Sequence, residues 1–337
     1  MGNMLDESQD GRCIGELPVT SENIGFAPEE MNACVKCGRT NSPARPTCFF
    51  CSANLEIFLA SGERGTLISR ELEIWEKGFN VVYLPQENAA EPDIAAAARF
   101  VSIEAVALRK VTNAASAFPI ARLESAADAE KTVEYLSGCG MKCSVVPDEI
   151  LRSDTLPKRL RSVRFAGNAV FLTTFNINEE IEFRGDDVVL IVAGAVFEAK
   201  TETIEKRKKK ESSVVLETQS ESKGGLIDIY VSGDSAGYRI PITGFDFSCL
   251  GTQKSILAAE NIQRLAVVFR NFAARAKFAG DYAAVRKLLD HVWPLGRRRD
   301  SYGRQATGFG GKDFTNIETT NNLQQFTKYS RLQRQLL

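Results

Sequence analysis

Residues Ala33–Ser52 read ACVKCGRTNSPARPTCFFCS, and this stretch decides how the N-terminal region folds. It sets Cys34 and Cys37 in one pair and Cys48 and Cys51 in a second, a C-x2-C-x10-C-x2-C spacing. Each pair closes a tight turn that aims two thiolates at one point. Two such turns supply four sulfurs, the donor set of a tetrahedral zinc ion about 2.3 Å from each. Four protein ligands leave no open position for water, so the reading is a structural ion and not a catalytic one. Gly38, Asn41, Pro43 and Pro46 fill the connecting loop with turn formers. A segment this short has no core of its own and draws its folding free energy from the metal. The competing reading is four unrelated thiols or a redox pair. Cys13, Cys139, Cys143 and Cys249 show no such pairing and read as core or turn residues.

Outward from this clip, the 337 residues suggest two or three domains. Hydrophobic residues make up 44% and charged ones 25%, the balance of a globular chain. The net charge of −1 gives no global field toward nucleic acid or membrane. Charge is uneven along the chain: residues 1–33 hold seven acids against Arg12 alone, and residues 294–337 hold eight Lys/Arg against three acids. Both ends read as solvated segments or interaction tails. The chain opens acidic, without the apolar run of a signal peptide. The myristoylation pattern is incomplete, because Asp6 stands where Ser or Thr is needed. The longest apolar run, Val188–Phe197, is ten residues, and a membrane span needs about 20. The expectation is a cytoplasmic protein with reduced cysteines, in which paired C-x-x-C motifs mean metal before disulfide.

The order Cys37, Asn41, Cys48, Cys51 resembles the short zinc-ribbon domains found near the termini of bacterial proteins. It is also similar in spacing to the Ran-binding-protein-2-type zinc fingers, which read single-stranded RNA or ubiquitin. RNA-binding members of that family carry a Trp just before the first Cys that stacks on a base. Here Asn32 and Ala33 stand there, and Arg39 and Arg45 match the family's arginines without that aromatic. Ubiquitin-binding members carry Thr-Phe after the second Cys, where this chain has Arg39-Thr40. The plain ribbon is the better likeness. It covers about 20 residues and implies a small docking module.

Downstream, EIWEKGFNVVYLP (73–85) and EYLSGCGMKCSVVP (134–147) share one plan: an apolar-periodic stretch, a Gly, a strand and a closing Pro. Phe118–Ser125 reads as a strand and the residues after Ser125 as a helix capped by it. A further helix is expected over 93–111. Together these predict a small α/β sandwich over 56–150, with a ferredoxin-like arrangement as the candidate topology. From 158 the chain turns to Val-, Ile-, Phe- and Thr-rich runs separated by Gly, Asn and Asp. Helices are expected over 252–278 and 281–293. About seven short strands with a closing helix resemble the pleckstrin-homology-like fold over 158–293, which implies a β-barrel with capping helices. In that fold a basic hairpin can meet anionic headgroups, and Lys206, Arg207, Lys208, Lys209 and Lys210 are the residues here that would do so, with Glu202, Glu205 and Glu211 diluting their charge.

No catalytic motif is present. The chain lacks GxGxxG, a P-loop, GxSxG and HExxH. His291 is the only histidine, near a helix end. Glu179-Glu180 and Asp186-Asp187 are neighbours on strands or turns and do not converge on one substrate. The expected architecture is a multidomain α+β protein: a disordered acidic N-terminus (1–30), a zinc ribbon (31–55), the α/β domain (56–150), the β-rich domain (158–293) and a basic flexible tail with a short amphipathic helix (294–337). The expected function is non-enzymatic: a zinc-containing scaffold that binds a protein partner. The rivals are a nucleic-acid binder using the finger and basic tail, and a peripheral membrane protein using the basic run.

Overall fold

The computed structural model describes residues 31–34, 36–42, 45, 48–52, 70–86, 91–114, 116–152, 155–208, 211–234, 236–305 and 312–337. It divides into two compact units, Met1–Gly65 and Thr66–Leu337. The expected disordered acidic N-terminus lies outside the described residues. In the first unit, β1 (Asn32–Ala33) pairs antiparallel with β2 (Thr40–Asn41).

The second unit begins with a three-stranded sheet of β3 (Phe79–Tyr83), β4 (Phe118–Leu123) and β5 (Cys143–Pro147). Its order is β4-β3-β5, and both neighbours run antiparallel to β3. α1 (Ile94–Phe100) and α2 (Ala105–Thr112) connect β3 to β4, and α3 (Ala126–Gly138) crosses from β4 to β5. A short α4 (Asp148–Leu151) follows. Local chemistry sets the ends of α3. The Ser125 hydroxyl accepts from the Asp128 backbone N–H, a side-chain N-cap. At the other end Gly140 takes φ +81, the Gly140 N–H bonds Ser137 O and the Met141 N–H bonds Leu136 O. That is a Schellman closure, which favours glycine.

The second sheet contains β6 (Lys158–Ala166), β7 (Ala169–Thr174), β8 (Glu180–Arg184), β9 (Val188–Lys208), β10 (Glu211–Val231) and β11 (Tyr238–Pro241). β12 (Lys277–Ala279), β13 (Gly296–Gln305) and β14 (Lys312–Asn321) join it from further along the chain. The order is β13-β14-β9-β10-β11-β6-β7-β8, curled into a half-barrel, with β12 parallel to the start of β9. Strand side chains alternate between faces, and here both faces are covered. Leu190, Val192, Leu226 and Tyr230 enter the hydrophobic cluster that also holds the small sheet, while Ile191, Ile227 and Ile229 enter a second cluster. This explains why Val188–Phe197 is a continuous apolar run and not an alternating one. The second cluster is closed by α5 (Ala258–Phe272) through Ile262, Leu265 and Phe269.

The first cluster is closed by α6 (Tyr282–Leu289) and α7 (Leu323–Gln335). Phe326, Tyr329 and Leu332 are fully buried, and so are the polar residues of α7 around them. These find partners on other segments. The Arg239 guanidinium holds Asp228 with two 2.7 Å bonds and donates to Thr327 Oγ1 at 3.0 Å. Ser330 Oγ and the Tyr230 hydroxyl lie 2.8 Å apart, and Gln333 donates to Ala117 O at 2.7 Å. Lys328 Nζ is 3.6 Å from Asp148, which also accepts from Arg122 and from Asn80. β9 makes room for α7 at Gly194, where a Cβ would come within 3 Å of the Phe326 and Tyr282 rings. Gly194→Ala is therefore expected to lower stability by about 1–3 kcal/mol, the usual range for overpacking a filled core, read as the midpoint of urea unfolding.

The structure departs from several expectations for physical reasons. Residues 74–76 form turns and not a helix, and Gly78 does not end one. The helix expected over 93–111 is two helices, because Ser102 takes φ +56 between them. The described strands of the small sheet number three, all pairing antiparallel, against the four strands of the ferredoxin-like arrangement. The helix expected over 252–278 starts only at Ala258, after a 3-10 turn (Phe247–Gln253), and residues 277–279 form β12. Ile256, inside the span of the expected helix, precedes α5 and is fully exposed. The barrel expected over 158–293 is an open sheet whose two central strands are 21 residues long and which recruits β13 and β14 from beyond it. The boundary expected between 150 and 158 falls inside one packed cluster. Residues 294–337, expected to be a flexible tail with a short amphipathic helix, do carry that helix, but it packs on the protein itself behind the paired strands β13 and β14.

Candidate metal centre

Two knuckles build the centre. In the first, the Cys34 N–H bonds Arg39 O at 2.9 Å and the Gly38 N–H bonds Cys34 O at 2.7 Å. Gly38 sits at φ +70, a region glycine enters at little cost. In the second, the Ser52 N–H bonds Cys48 O at 2.9 Å. Asn41 ties the knuckles together. It is buried, its amide donates to Arg39 O at 2.8 Å, and its Oδ1 accepts from the Phe49 N–H at 2.9 Å. The sequence marked Asn41 only as a turn former; the structure makes it the brace between the two halves of the site.

The four cysteine sulfurs lie within 4.8 Å of one another. Cys34 Sγ is 3.6 Å from Cys51 Sγ, and Cys37 Sγ is 3.5 Å from Cys48 Sγ. Those separations are far longer than a disulfide bond of about 2.05 Å. They approach the roughly 3.8 Å edge of a tetrahedron with metal–sulfur bonds of about 2.3 Å. Cys34 and Cys48 are buried, Cys51 is half-buried and Cys37 is exposed. The donor set fits a metal ion that prefers four soft ligands in tetrahedral array. Among the described residues this is the one group of Cys, His, Asp and Glu arranged to hold a metal.

The protonation pattern of the thiols suits capture of a cation. The Arg39 backbone favours the Cys37 anion, but desolvation and the hydrogen bonds shared with Cys48, Cys51 and Cys34 push its pKa up to about 12. Desolvation also raises Cys48, yet backbone N–H groups of Phe50 and Cys51 and the thiols of Cys37 and Cys51 bring it down to about 6. These hydrogen bonds favour the anion at Cys48, and the thiolate is the form that binds metal.

Between the ligands Cys48 and Cys51 stand two exposed aromatics. Phe49 is 67% and Phe50 49% exposed, with ring centroids 5.4 Å apart in a T-shaped contact. The Arg45 guanidinium lies 4.8 Å from the Phe49 ring and that of Arg39 4.6 Å from the Phe50 ring. From Met31 to Ser52 the charges are Lys36, Arg39 and Arg45, with no acid. The signal for the Phe-Phe pair is local to the second knuckle, because positions between two ligands face outward.

In the basic run, Lys206, Arg207 and Lys208 lie in β9 with side chains outside the described residues, and Lys209 and Lys210 are outside them altogether. Cys139 caps α3 and Cys143 opens β5, in line with the core or turn reading; burial pushes the Cys143 thiol up to about 12. His291 is exposed just after α6. Asp187 accepts from the Arg184 N–H at 2.8 Å in a 3-10 turn. No helix among the described residues is long and apolar enough to cross a membrane. No family model, curated protein or solved structure matches the chain.

Proposed function

We propose that Cys34, Cys37, Cys48 and Cys51 hold one structural zinc ion, and that the ribbon is the docking module of a non-enzymatic scaffold protein that binds a protein partner. The single observation that supports docking is the Phe49–Phe50 pair. Two aromatic rings exposed between two metal ligands do nothing for the ribbon's own interior. Large aromatics and arginines carry most of the free energy at protein interfaces. The metal fixes the knuckle, and the knuckle presents the rings on a rigid base, which limits the ordering cost of binding. Phe49→Ala with Phe50→Ala is expected to retain one zinc per chain by elemental analysis and to lose the partners that the wild-type protein retains in cross-linking and affinity capture. Partners kept by the variant would remove the docking surface from these residues.

A second reading is favoured by the same rings. Aromatics flanked by arginine, with no acid between Met31 and Ser52, also suit stacking on single-stranded nucleic acid. Three cations would give a salt slope of about −2 in log affinity against log salt. Titration of a labelled single-stranded RNA separates the two readings: a slope of that size, abolished in the double alanine variant, selects nucleic acid.

A further inference from the structure

Beyond its two hydrophobic clusters the large sheet continues as a single layer of four strands. Residues 198–204 of β9 and 217–223 of β10 pair with each other, β14 pairs along the other side of β9, and β13 pairs along β14. Among the described residues, none after Val196 in β9, none before Leu226 in β10 and none in β13 or β14 belongs to either cluster. A layer of this kind has no apolar face to stabilise it. Both of its edges are open. No described strand pairs with the outer side of β13, and β11 pairs with β10 only at Leu226–Ile229. The β13–β14 register runs without a shift over ten residues, so no bulge turns that edge away. An open edge is a row of unpaired backbone N–H and C=O groups, and the group that matches such a row is another β-strand.

The two edges carry opposite charge. Residues 297–301 of β13 hold Arg297, Arg298 and Arg299 against Asp300, and residues 217–223 of β10 hold Glu217 and Glu221 against Lys223. Residues directly opposite each other in a sheet share a face, so positions can be followed across all four strands. Arg297 lies opposite Thr320, Thr320 opposite Ala199, and Ala199 opposite Glu221. The next two rows on the same face run Arg299–Glu318–Thr201–Gln219 and Ser301–Asn316–Thr203–Glu217. Arg297 and Arg299 therefore stand on the same face as Glu217 and Glu221, at the opposite edge. Every neighbour in the layer is antiparallel, so a strand continuing the sheet past β10 runs in the direction of β13. With β13 of a second copy in that place and in the same rows, Arg297 comes opposite Glu221, and Arg299 falls between Glu217 and Glu221. The present partners of these groups are at the surface. Arg299 is 3.5 Å from Glu318, Lys223 is 3.3 Å from Glu221, and the Gln219 amide donates to Glu217 at 2.9 Å. Exposed pairs of that kind contribute little and exchange readily. Pairing two like edges would set arginine against arginine or glutamate against glutamate, so charge selects the unlike edges. The net charge of −1 sets up no long-range repulsion between copies.

We propose that copies of this chain associate head to tail, the β13 edge of one adding as a strand to residues 217–223 of β10 in the next. The contact is heterologous, so it propagates into chains or closes into a ring. The test is sedimentation velocity of the full-length protein over a wide range of concentration, at low and high salt. The wild type is expected to form species larger than one chain at low salt, and fewer of them at high salt, because salt screens the opposed charges. Two charge-reversed proteins are compared with it: Arg297→Glu with Arg299→Glu, and Glu217→Arg with Glu221→Arg. Each alone is expected to associate about tenfold more weakly or worse, since like charges then face each other across the new strand pair. Mixing the two restores opposite charge at both edges and is expected to restore assembly, which misfolded variants could not do. Phe49→Ala with Phe50→Ala is expected to associate like the wild type, which separates this contact from the ribbon. A wild type that stays a single chain at every concentration at low salt overturns the proposal. So do charge-reversed proteins that associate like the wild type, a mixture that does not assemble, or loss of assembly in the Phe49/Phe50 variant.

Discussion

Replacing Cys48 and Cys51 together by serine is expected to abolish metal binding and unfold residues 31–52, while Thr66–Leu337 keeps its unfolding midpoint. Among the described residues, the ribbon's hydrophobic cluster consists of Cys34, Cys48 and partly buried Cys51, with no aliphatic or aromatic side chain. Without a metal, burial therefore offers this segment almost nothing against the conformational entropy of ordering it. Binding of a four-thiolate zinc ion contributes about 10–16 kcal/mol in comparable small modules at neutral pH. The second unit has two apolar clusters of its own and depends on no metal among its described residues. Metal per chain and amide hydrogen exchange over 34–51 provide the readout. Exchange protection in the variant equal to that of the wild type would show that the ribbon folds by other means.

The second large effect is expected at Asp148. Its carboxylate accepts from Arg122 Nε at 2.8 Å, from Asn80 at 2.9 Å and from the Gly78 N–H at 3.0 Å, and Lys328 Nζ is 3.6 Å away. The side chains of Arg122 and Lys328 are 2% and 6% exposed. Asp148→Asn leaves two buried cations without a counter-charge, and breaking a buried pair in this way costs about 3–5 kcal/mol. Burial lowers the pKa of Lys328, and the Asp148 charge works against that. The pH dependence follows from the same geometry. Burial raises the Asp148 carboxyl, but Lys328, the Asn80 amide and Arg122 outweigh it and hold the group below the usual carboxylate range. A lowered folded value means that the unfolded chain takes up the proton first as pH falls. The stabilisation is complete above the ordinary aspartate value of about 4 and is lost as pH falls toward the lowered folded value. Urea midpoints measured from neutral to acid pH should fall in the wild type across that window and change less in Asp148→Asn. Equal midpoints for the two proteins at neutral pH would contradict the assigned role.

The metal centre was legible because its determinants are local: four identical ligands at fixed spacing and a glycine where the chain must reverse. The α3 helix was legible for the same reason, with Ser125 and Gly140 marking its ends. α7 was legible as a short amphipathic helix, but its burial was not. Its sequence, LQQFTKYSRLQRQ, is polar on nearly every face, and hydrophobic periodicity cannot announce that polar groups go inside to meet Arg239, Asp148, Tyr230 and Ala117 from distant segments. The small and large sheets were read as separate domains because each has its own strand pattern. Nothing in Leu190 or Leu226 alone says that their side chains face the small sheet's cluster while Ile191 and Ile227 face away. Phe49 and Phe50 were visible in the sequence, but their exposure depends on which side of the knuckle the cysteine sulfurs occupy.

β9 takes hydrogen bonds from β10, β12 and β14 and divides its side chains between both clusters. A strand in that position acts as a party wall between two rooms. Neither room stands without it, so a cut in the chain near residue 155 would yield no self-sufficient half. Any load applied to one sheet is carried directly into the other, and the second unit is best regarded as a single cooperative body.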